Sequence, residues 1–367
     1  MRVGICAYWF NRGQGVVARQ LRSALESLGH ETFVLARPTR KTNIRPDHID
    51  REGVWAQDAI TAGSDYLIPT DEYLRWADQT GIEAAFFDQN YQFEEIAKLR
   101  TAGVRTIGRF VWEHFSAEHV EPAQRAFETI YSLTSCEQTR YATMGIESPR
   151  VHWGIHPDLL TGSDAFEGDV GSTVTFLFPG GFMSKRKPLE ATIAAFRGTS
   201  NPNLRLILKA QVDRRSKQVE SMIRGGRRFG RADSRIELIQ GDLPTDEYLR
   251  MFAAADVCIA PSRWEGLGLH LYEATAFGIP IITNDNPPMN EIVGDGVNGL
   301  LIAGVPSEVT PRSGIGAFDP DVNALSAAIE RLGDPALRAE LAAGARARRD
   351  ELTWQRTVGE LELLLES

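Results

Sequence analysis

Two glutamates, Glu265 and Glu273, stand with seven residues between them, and the turn Gly266-Leu267-Gly268 begins that interval. A carboxylate accepts hydrogen bonds in pairs, which suits the vicinal hydroxyls of a sugar or a ribose. Glycines at a turn let the backbone approach a ligand closely. The apolar run Val257–Ala260 precedes the turn and a helical pattern starts near Leu269, so the order is strand, turn, helix. The first free N–H groups of such a helix, with the positive end of its dipole, form an anion site suited to a diphosphate. Gly266, Leu267, Gly268 and Leu269 are the candidate phosphate-side residues. Glu265 is the candidate for a transferred sugar and Glu273 for a ribose. Either glutamate alone reads more simply as an ordinary helix-start or solvated residue. The glycines and the residues downstream favour a site.

The elements that must carry this turn form two series. Met1–Tyr8 is an apolar strand, Asn11–Gly15 a polar glycine-bearing loop, and Val16–Leu28 has apolar residues at helical spacing. Thr32–Leu35 follows as the next strand, completing a βαβ unit and implying a parallel sheet with a right-handed crossover. Ala84–Phe87, Thr106–Val111 and Ile130–Leu133 continue the series. A Gly-, Asp- and Pro-rich linker spans His152–Gly171. A second series follows, with strands at Thr173–Phe178, Leu204–Leu208, Ile236–Ile239, Val257–Ala260 and Ile281–Thr283. Pro320–Ser367 is helical, with Trp354 as a core anchor. The expected fold is therefore α/β, with two doubly wound Rossmann-like domains in tandem and a cleft between them.

Bulk properties narrow the function. The 367 residues suit two cores. Lys and Arg total 40 against 49 Asp and Glu, a net charge of −9. That balance disfavours a general nucleic-acid binder, because phosphate attraction needs positive charge. The sequence lacks an apolar stretch of membrane-spanning length. Cys6, Cys136 and Cys258 are widely spaced without metal-ligand pairing, which favours a reducing compartment and a cytoplasmic location. The basic run Arg214, Arg215, Lys217, Arg224, Arg227, Arg228, Arg231 and Arg235 reads as a solvated surface.

Downstream of the glutamates come Gly278-Ile279-Pro280, Glu291-Ile292-Val293, Asp295-Gly296 and Gly299-Leu300. This ordered set over Ala260–Leu300 resembles the donor domain of retaining glycosyltransferases of the GT-B fold, in the large family called family 4. The resemblance extends to Phe178–Pro188, where the family grips the diphosphate with an arginine and a lysine. Lys187 takes the lysine position. The arginine position falls on Gly181 or Phe182, neither charged, and Lys185 or Arg186 is the candidate replacement. Lys209 is a second candidate cation. Asp242 and Leu243 lie where the family lines its nucleobase pocket, without selecting the base.

For the first half the resemblance is looser. Gly15 matches a glycine-rich loop near the donor phosphate, and His114 a histidine near the reacting sugar. Glu113, Asp88 and Asn90 are acceptor-side candidates, and His270 is read as packing or capping. The resemblance implies domains at 1–152 and 153–350, with a helix at 351–367 packing back on the first. It implies a UDP- or GDP-sugar donor, a small-molecule or glycan hydroxyl acceptor, retention, no metal and no cofactor. His114, Glu265 and Lys187 would be catalytic. The alternatives are a GT-B sugar-nucleotide epimerase and a catalytically silent nucleotide-sugar binding protein.

Overall fold

The computed structural model describes residues 1–40, 48–160, 173–211, 216–225 and 232–366. The chain divides into two compact units. One is Met1–Gly154 with Trp354–Ser367, and the other is Ile155–Thr353.

In the first unit, β1 (Arg2–Ala7), β2 (Glu31–Ala36), β3 (Ile60–Ala62), β4 (Ala84–Asp88), β5 (Arg105–Arg109) and β6 (Thr129–Ile130) form one sheet. All neighbours are parallel and the order is β3-β2-β1-β4-β5-β6. The central strands are apolar runs because helices cover both faces of a parallel sheet. These helices are α1 (Gly13–Ser27), α2 (Thr70–Thr80), α3 (Phe93–Thr101), α4 (Val120–Ala126) and α5 (Ser135–Thr143). The C-terminal helix Trp354–Glu366 packs on α1, and Arg105 donates to the carbonyls of Leu364 and Leu365. Trp354 is buried edge-on against Trp153, as a core anchor should be.

The polar loop expected over Asn11–Gly15 is shorter than the sequence suggests. Gly13 and Gly15 already belong to the first turn of α1. Gly15 is needed for space: a Cβ there would lie 2.3 Å from the Phe10 carbonyl oxygen. Gly15→Ala is therefore expected to destabilise the protein by about 1–3 kcal/mol, despite alanine's better helix propensity. An unchanged urea midpoint would show that this turn has room to relax.

The second unit repeats the topology. Its strands are β7 (Val174–Gly181), β8 (Leu204–Ala210), β9 (Ile236–Gln240), β10 (Val257–Ile259), β11 (Ile281–Asn284) and β12 (Gly299–Ile302). They form a parallel sheet in the order β12-β11-β10-β7-β8-β9, followed by the antiparallel hairpin of β13 (Gly304–Pro306) and β14 (Phe318–Pro320). The helices are α6 (Leu189–Arg197), α7 (Ser216–Arg224), α8 (Thr245–Ala253), α9 (Leu269–Ala276), α10 (Met289–Ile292), α11 (Val322–Arg331) and α12 (Pro335–Glu351). Phe176, Phe178, Phe196, Leu206 and Leu325 are in its core. β7 extends beyond the expected Phe178 because Pro179 and Gly181 keep pairing with β8 across an irregularity. Part of the expected linker, residues 161–171, lies outside the described residues, as do Arg214, Arg215, Arg227, Arg228 and Arg231.

Both units are thus Rossmann-like, and each sheet reverses strand order beside its first strand, at β1/β4 and at β7/β10. In such sheets ligands bind in the crevice at the carboxyl ends of the strands flanking that reversal. Among the described residues, no helix is long and apolar enough to cross a membrane.

Candidate functional site

The loops leaving β7 and β10 meet at the switch point of the second unit. Lys187 comes from the first loop, Ser262 and Glu265 from the second. Lys187 Nζ donates to Glu265 Oε1 at 2.7 Å and to Ser262 Oγ at 2.9 Å. Ser262 Oγ in turn donates to the same carboxylate oxygen at 2.8 Å. Glu265 Oε2 lies 3.3 Å from an Arg186 guanidinium nitrogen. The lysine and glutamate side chains are only 5% and 4% exposed. The loops are pinned to each other: Arg263 N donates to the Arg186 carbonyl, and its side chain bonds the Lys185 carbonyl and Asp319.

Burial works to raise the Glu265 pKa, but Arg186 and then Lys187 outweigh it and hold the carboxyl well below its usual range. Burial lowers the Lys187 pKa against the opposing pull of Glu265. Lys187, Arg186 and Glu265 together carry one net positive charge, with Lys187 and Glu265 buried and Arg186 partly exposed. Arg186, one of the two candidates to replace the cation missing at Gly181 or Phe182, faces Glu265, and Gly181 itself, with φ 52°, lies at the end of β7.

Gly268 caps α9 with φ 78°, a left-handed conformation that a side chain would strain. It turns the chain so that α9 starts beside Glu265, with Gly266, Leu267 and Leu269 in the same turn. The helix has no side-chain cap and no acid in its first turn. Leu271 N donates to the Gly268 carbonyl at 2.8 Å, and the positive dipole end of the helix faces the Glu265 turn. His270 does not cap the helix, which leaves packing of the two roles expected. Its Nε2 lies 3.9 Å from Glu265 Oε1 and is buried without a hydrogen-bond partner. Burial, then the Lys187 charge, lower its pKa to about 3, so the ring is neutral at physiological pH.

Glu273 is half-buried one turn further on. Its Oε2 accepts from the Tyr248 hydroxyl at 2.9 Å. Burial raises its pKa to about 7, against that hydrogen bond. Lys209, at the end of β8, donates to the carbonyls of Ala210 and Gly241. Asp242 accepts from Gln211 at 2.9 Å, and Leu243 follows it in the same loop. The second-unit candidates thus lie along the carboxyl ends of β7, β8, β9 and β10. Ser262 and Tyr248 join them without having been assigned a role from sequence, and His270 joins them although it was read as packing or capping. Ser262 could have been found by its place three residues before Glu265; Tyr248 had no local signal.

The first-unit candidates sit differently. Asp88 is tied to Arg109 at 3.3 Å, and Arg109 to Glu137 at 2.7 Å, all deeply buried. Asn90 is fully buried and donates to the Tyr73 hydroxyl, so its amide serves the core rather than the surface expected of an acceptor contact. Glu113 is buried after β5, and His114, 59% exposed, approaches it at 3.4 Å.

A buried lysine and a partly exposed arginine thus share one buried carboxylate beside the start of a helix that has no side-chain cap. The fold is that of GT-B glycosyltransferase structures. Residues 237–310 match the model of the family Glycosyl transferases group 1. The chain is 30% identical over 187 residues to a D-inositol 3-phosphate glycosyltransferase of Acidothermus cellulolyticus, covering 48% of this chain and 38% of that protein. A second relative is a GDP-mannose-dependent monoacylated alpha-(1-6)-phosphatidylinositol monomannoside mannosyltransferase of Corynebacterium glutamicum. It is 34% identical over 124 residues, 31% of this chain and 28% of that one. The chain thus spans well under half the length of these curated relatives. Among solved structures, a sucrose-phosphate synthase from Thermosynechococcus elongatus matches with TM-score 0.75 at 18% identity, covering 100% and 98% of the two chains. Anabaena Alr3699/HepE in complex with UDP-glucose matches with TM-score 0.73 at 15% identity over the whole of both chains.

Proposed function

We propose that the chain transfers a glycosyl group from a nucleotide-diphosphate sugar, a UDP- or GDP-sugar, to a hydroxyl acceptor, with retention and without a metal. The buried Lys187–Glu265–Arg186 cluster at the start of α9 carries this reading. The named activities of the two relatives and the UDP-glucose held by the Anabaena protein support it.

In the proposed reaction the diphosphate takes Lys187, Arg186 and the N-terminus of α9. Positive charge fixed there stabilises the leaving nucleotide where its negative charge develops. Glu265 stays ionised, so it serves as a hydrogen-bond acceptor for sugar hydroxyls and not as a proton donor. With no acid beside the leaving oxygen in this cluster, the departing phosphate itself takes the acceptor proton. The remaining work is orientation and exclusion of water. Glu273 holds the ribose, Lys209, Asp242 and Leu243 flank the nucleotide, and His114 binds a sugar hydroxyl.

A thermal-shift screen of UDP-, GDP- and ADP-sugars, followed by an assay of nucleotide release with and without hydroxyl acceptors, tests the reading. Stabilisation by a nucleotide sugar and acceptor-dependent release are expected. Stabilisation by none of them would sink it.

The Glu273 assignment makes a pH prediction. If only the carboxylate binds the ribose, nucleotide affinity falls by about tenfold from pH 8 to pH 6 as the group protonates near 7. Stability moves the other way. A carboxyl raised above its unfolded value binds more protons when folded, so its contribution is fully present below about 4.5 and is lost as pH rises from there to about 7. Titrations of Glu273→Gln should give a flat affinity profile; a profile as steep as the parent's would assign the titration elsewhere.

A further inference from the structure

A second charged cluster lies in the first unit, at the carboxyl ends of β1 and β2, and the donor-site chemistry does not use it. Arg37 follows β2 and is 3% exposed. Its guanidinium donates to two carbonyls, those of Tyr66 at 2.7 Å and Gln89 at 3.3 Å, and lies 3.9 Å from the centre of the Tyr66 ring. No carboxylate pairs with it among the described residues. The exposed Arg40 sits over the same ring at 4.5 Å. Arg12, after β1, stands 5.6 Å from the ring of Tyr8. Burial and then Tyr66 raise the Tyr8 pKa, while Arg37, Arg12 and Arg40 pull it down; this places one phenol within reach of three guanidinium groups.

A buried charge is costly unless it is paired. Two carbonyl acceptors meet two of Arg37's five N–H donors, and among the described residues no carboxylate compensates its charge. The acids nearby are engaged elsewhere. Asp50 pairs with His48 at 2.6 Å and accepts from Asn11 N, and Asp65 accepts from Tyr66 N. A second donor waits beside Arg37: Gln89 is 7% exposed, and its side-chain Nε2 is buried with no hydrogen-bond partner. Gln89 closes β4 at the switch point, in the left-handed region with φ 52°. A buried cation with no carboxylate partner and a buried donor with no acceptor, both among the described residues, share a requirement: an anion with several acceptor oxygens. Planar guanidinium groups recognise phosphate through paired bonds, and a phosphate monoester carries close to two negative charges.

We propose that Arg12, Arg37 and Arg40, with Tyr8 and Tyr66, bind the phosphate of a phosphorylated hydroxyl acceptor. The acceptor half of this statement rests on the transferase reading; anion binding at the cluster does not. A monoester held here enters the reaction already phosphorylated. A phosphoryl-transfer step must therefore precede this one, and the product leaves with its phosphate intact.

Arginine footprinting with phenylglyoxal tests the site on the full chain. Inorganic phosphate should slow modification of Arg12 and Arg40 by at least about threefold relative to chloride at equal ionic strength, with the exposed Arg75 unaffected. Equal rates at Arg12 and Arg40 would overturn the site. A second arm separates a free anion from an acceptor. With the donor found by the nucleotide-sugar screen, Arg40→Gln should slow transfer to glucose 6-phosphate relative to glucose by about tenfold or more. Arg40 is exposed, so folding is not in question. Footprint protection without that loss assigns the cluster to free phosphate and overturns the acceptor half. Absence of transfer from every nucleotide sugar overturns the transferase reading, while the footprint still decides anion binding.

Discussion

Glu265→Gln is expected to lower turnover by about 100- to 1,000-fold without weakening the binding of the nucleoside diphosphate. Glutamine keeps the shape and can still meet Lys187 and Ser262. It removes the negative charge that Lys187 and Arg186 both face. Those two cations then depend on the ligand for compensation, so the diphosphate should bind as well as before or better. What the variant loses is a charged acceptor for the sugar hydroxyls, and with it the orientation that the reaction needs. Calorimetry with the nucleoside diphosphate and steady-state kinetics measure the two effects separately. A fall in nucleotide affinity with kcat intact would mean that Glu265 belongs to the nucleotide rather than to the sugar. The apo protein should be less stable, and saturating nucleotide should recover part of that loss.

The architecture was legible because its signals are local and repeated. Apolar runs at β1, β4, β7 and β10, each followed by a helical period, imply parallel sheets before any contact is known. The Gly266–Gly268 turn and the start of α9 were legible for the same reason. Errors arose where packing overrides local signal. Gly13 and Gly15 look like loop glycines but enter α1, because Gly15 lets the helix start against the Phe10 carbonyl. Asn90 has the type and place of a ligand contact, yet Tyr73 and Gln92, distant or unremarkable in sequence, draw it into the core. The missing cation near Gly181 could not be settled from spacing. Arg186 comes to face Glu265 through the loop after β7, which is tied to Arg263. Tyr248 reaches Glu273 from a separate helix, and no short motif could announce that pairing. Arg37 and Arg40 escaped notice because β2 ends there without glycine or motif.

Lys187→Met is expected to have the other large effect, and it separates function from stability. Removing the lysine breaks a buried ion pair and leaves the Glu265 carboxylate with Arg186 and Ser262 alone. Breaking such a pair costs about 3–5 kcal/mol. The loss should depend on pH with a fixed sign. In the parent, Glu265 is held below its unfolded pKa, so its contribution is present above about 4.5 and fades only as pH falls through the depressed folded value. Without Lys187, Arg186 alone still holds that carboxyl down, so it rises toward its unfolded value and its contribution shrinks. The stability gap between parent and variant should therefore widen as pH rises from about 2 to 5. Urea unfolding across that range measures it, and a gap independent of pH would exclude the ion pair as its cause. Nucleoside diphosphate affinity should fall by roughly 10- to 100-fold, the worth of a charge-assisted hydrogen bond. The double variant Lys187→Met with Glu265→Leu then decides why the pair exists. Replacing both members of a buried pair by apolar residues is often neutral or stabilising. Recovered stability with no recovered turnover would mean that this charge cluster is held in the interior for the ligand it receives. Recovered turnover would mean that the diphosphate is gripped elsewhere.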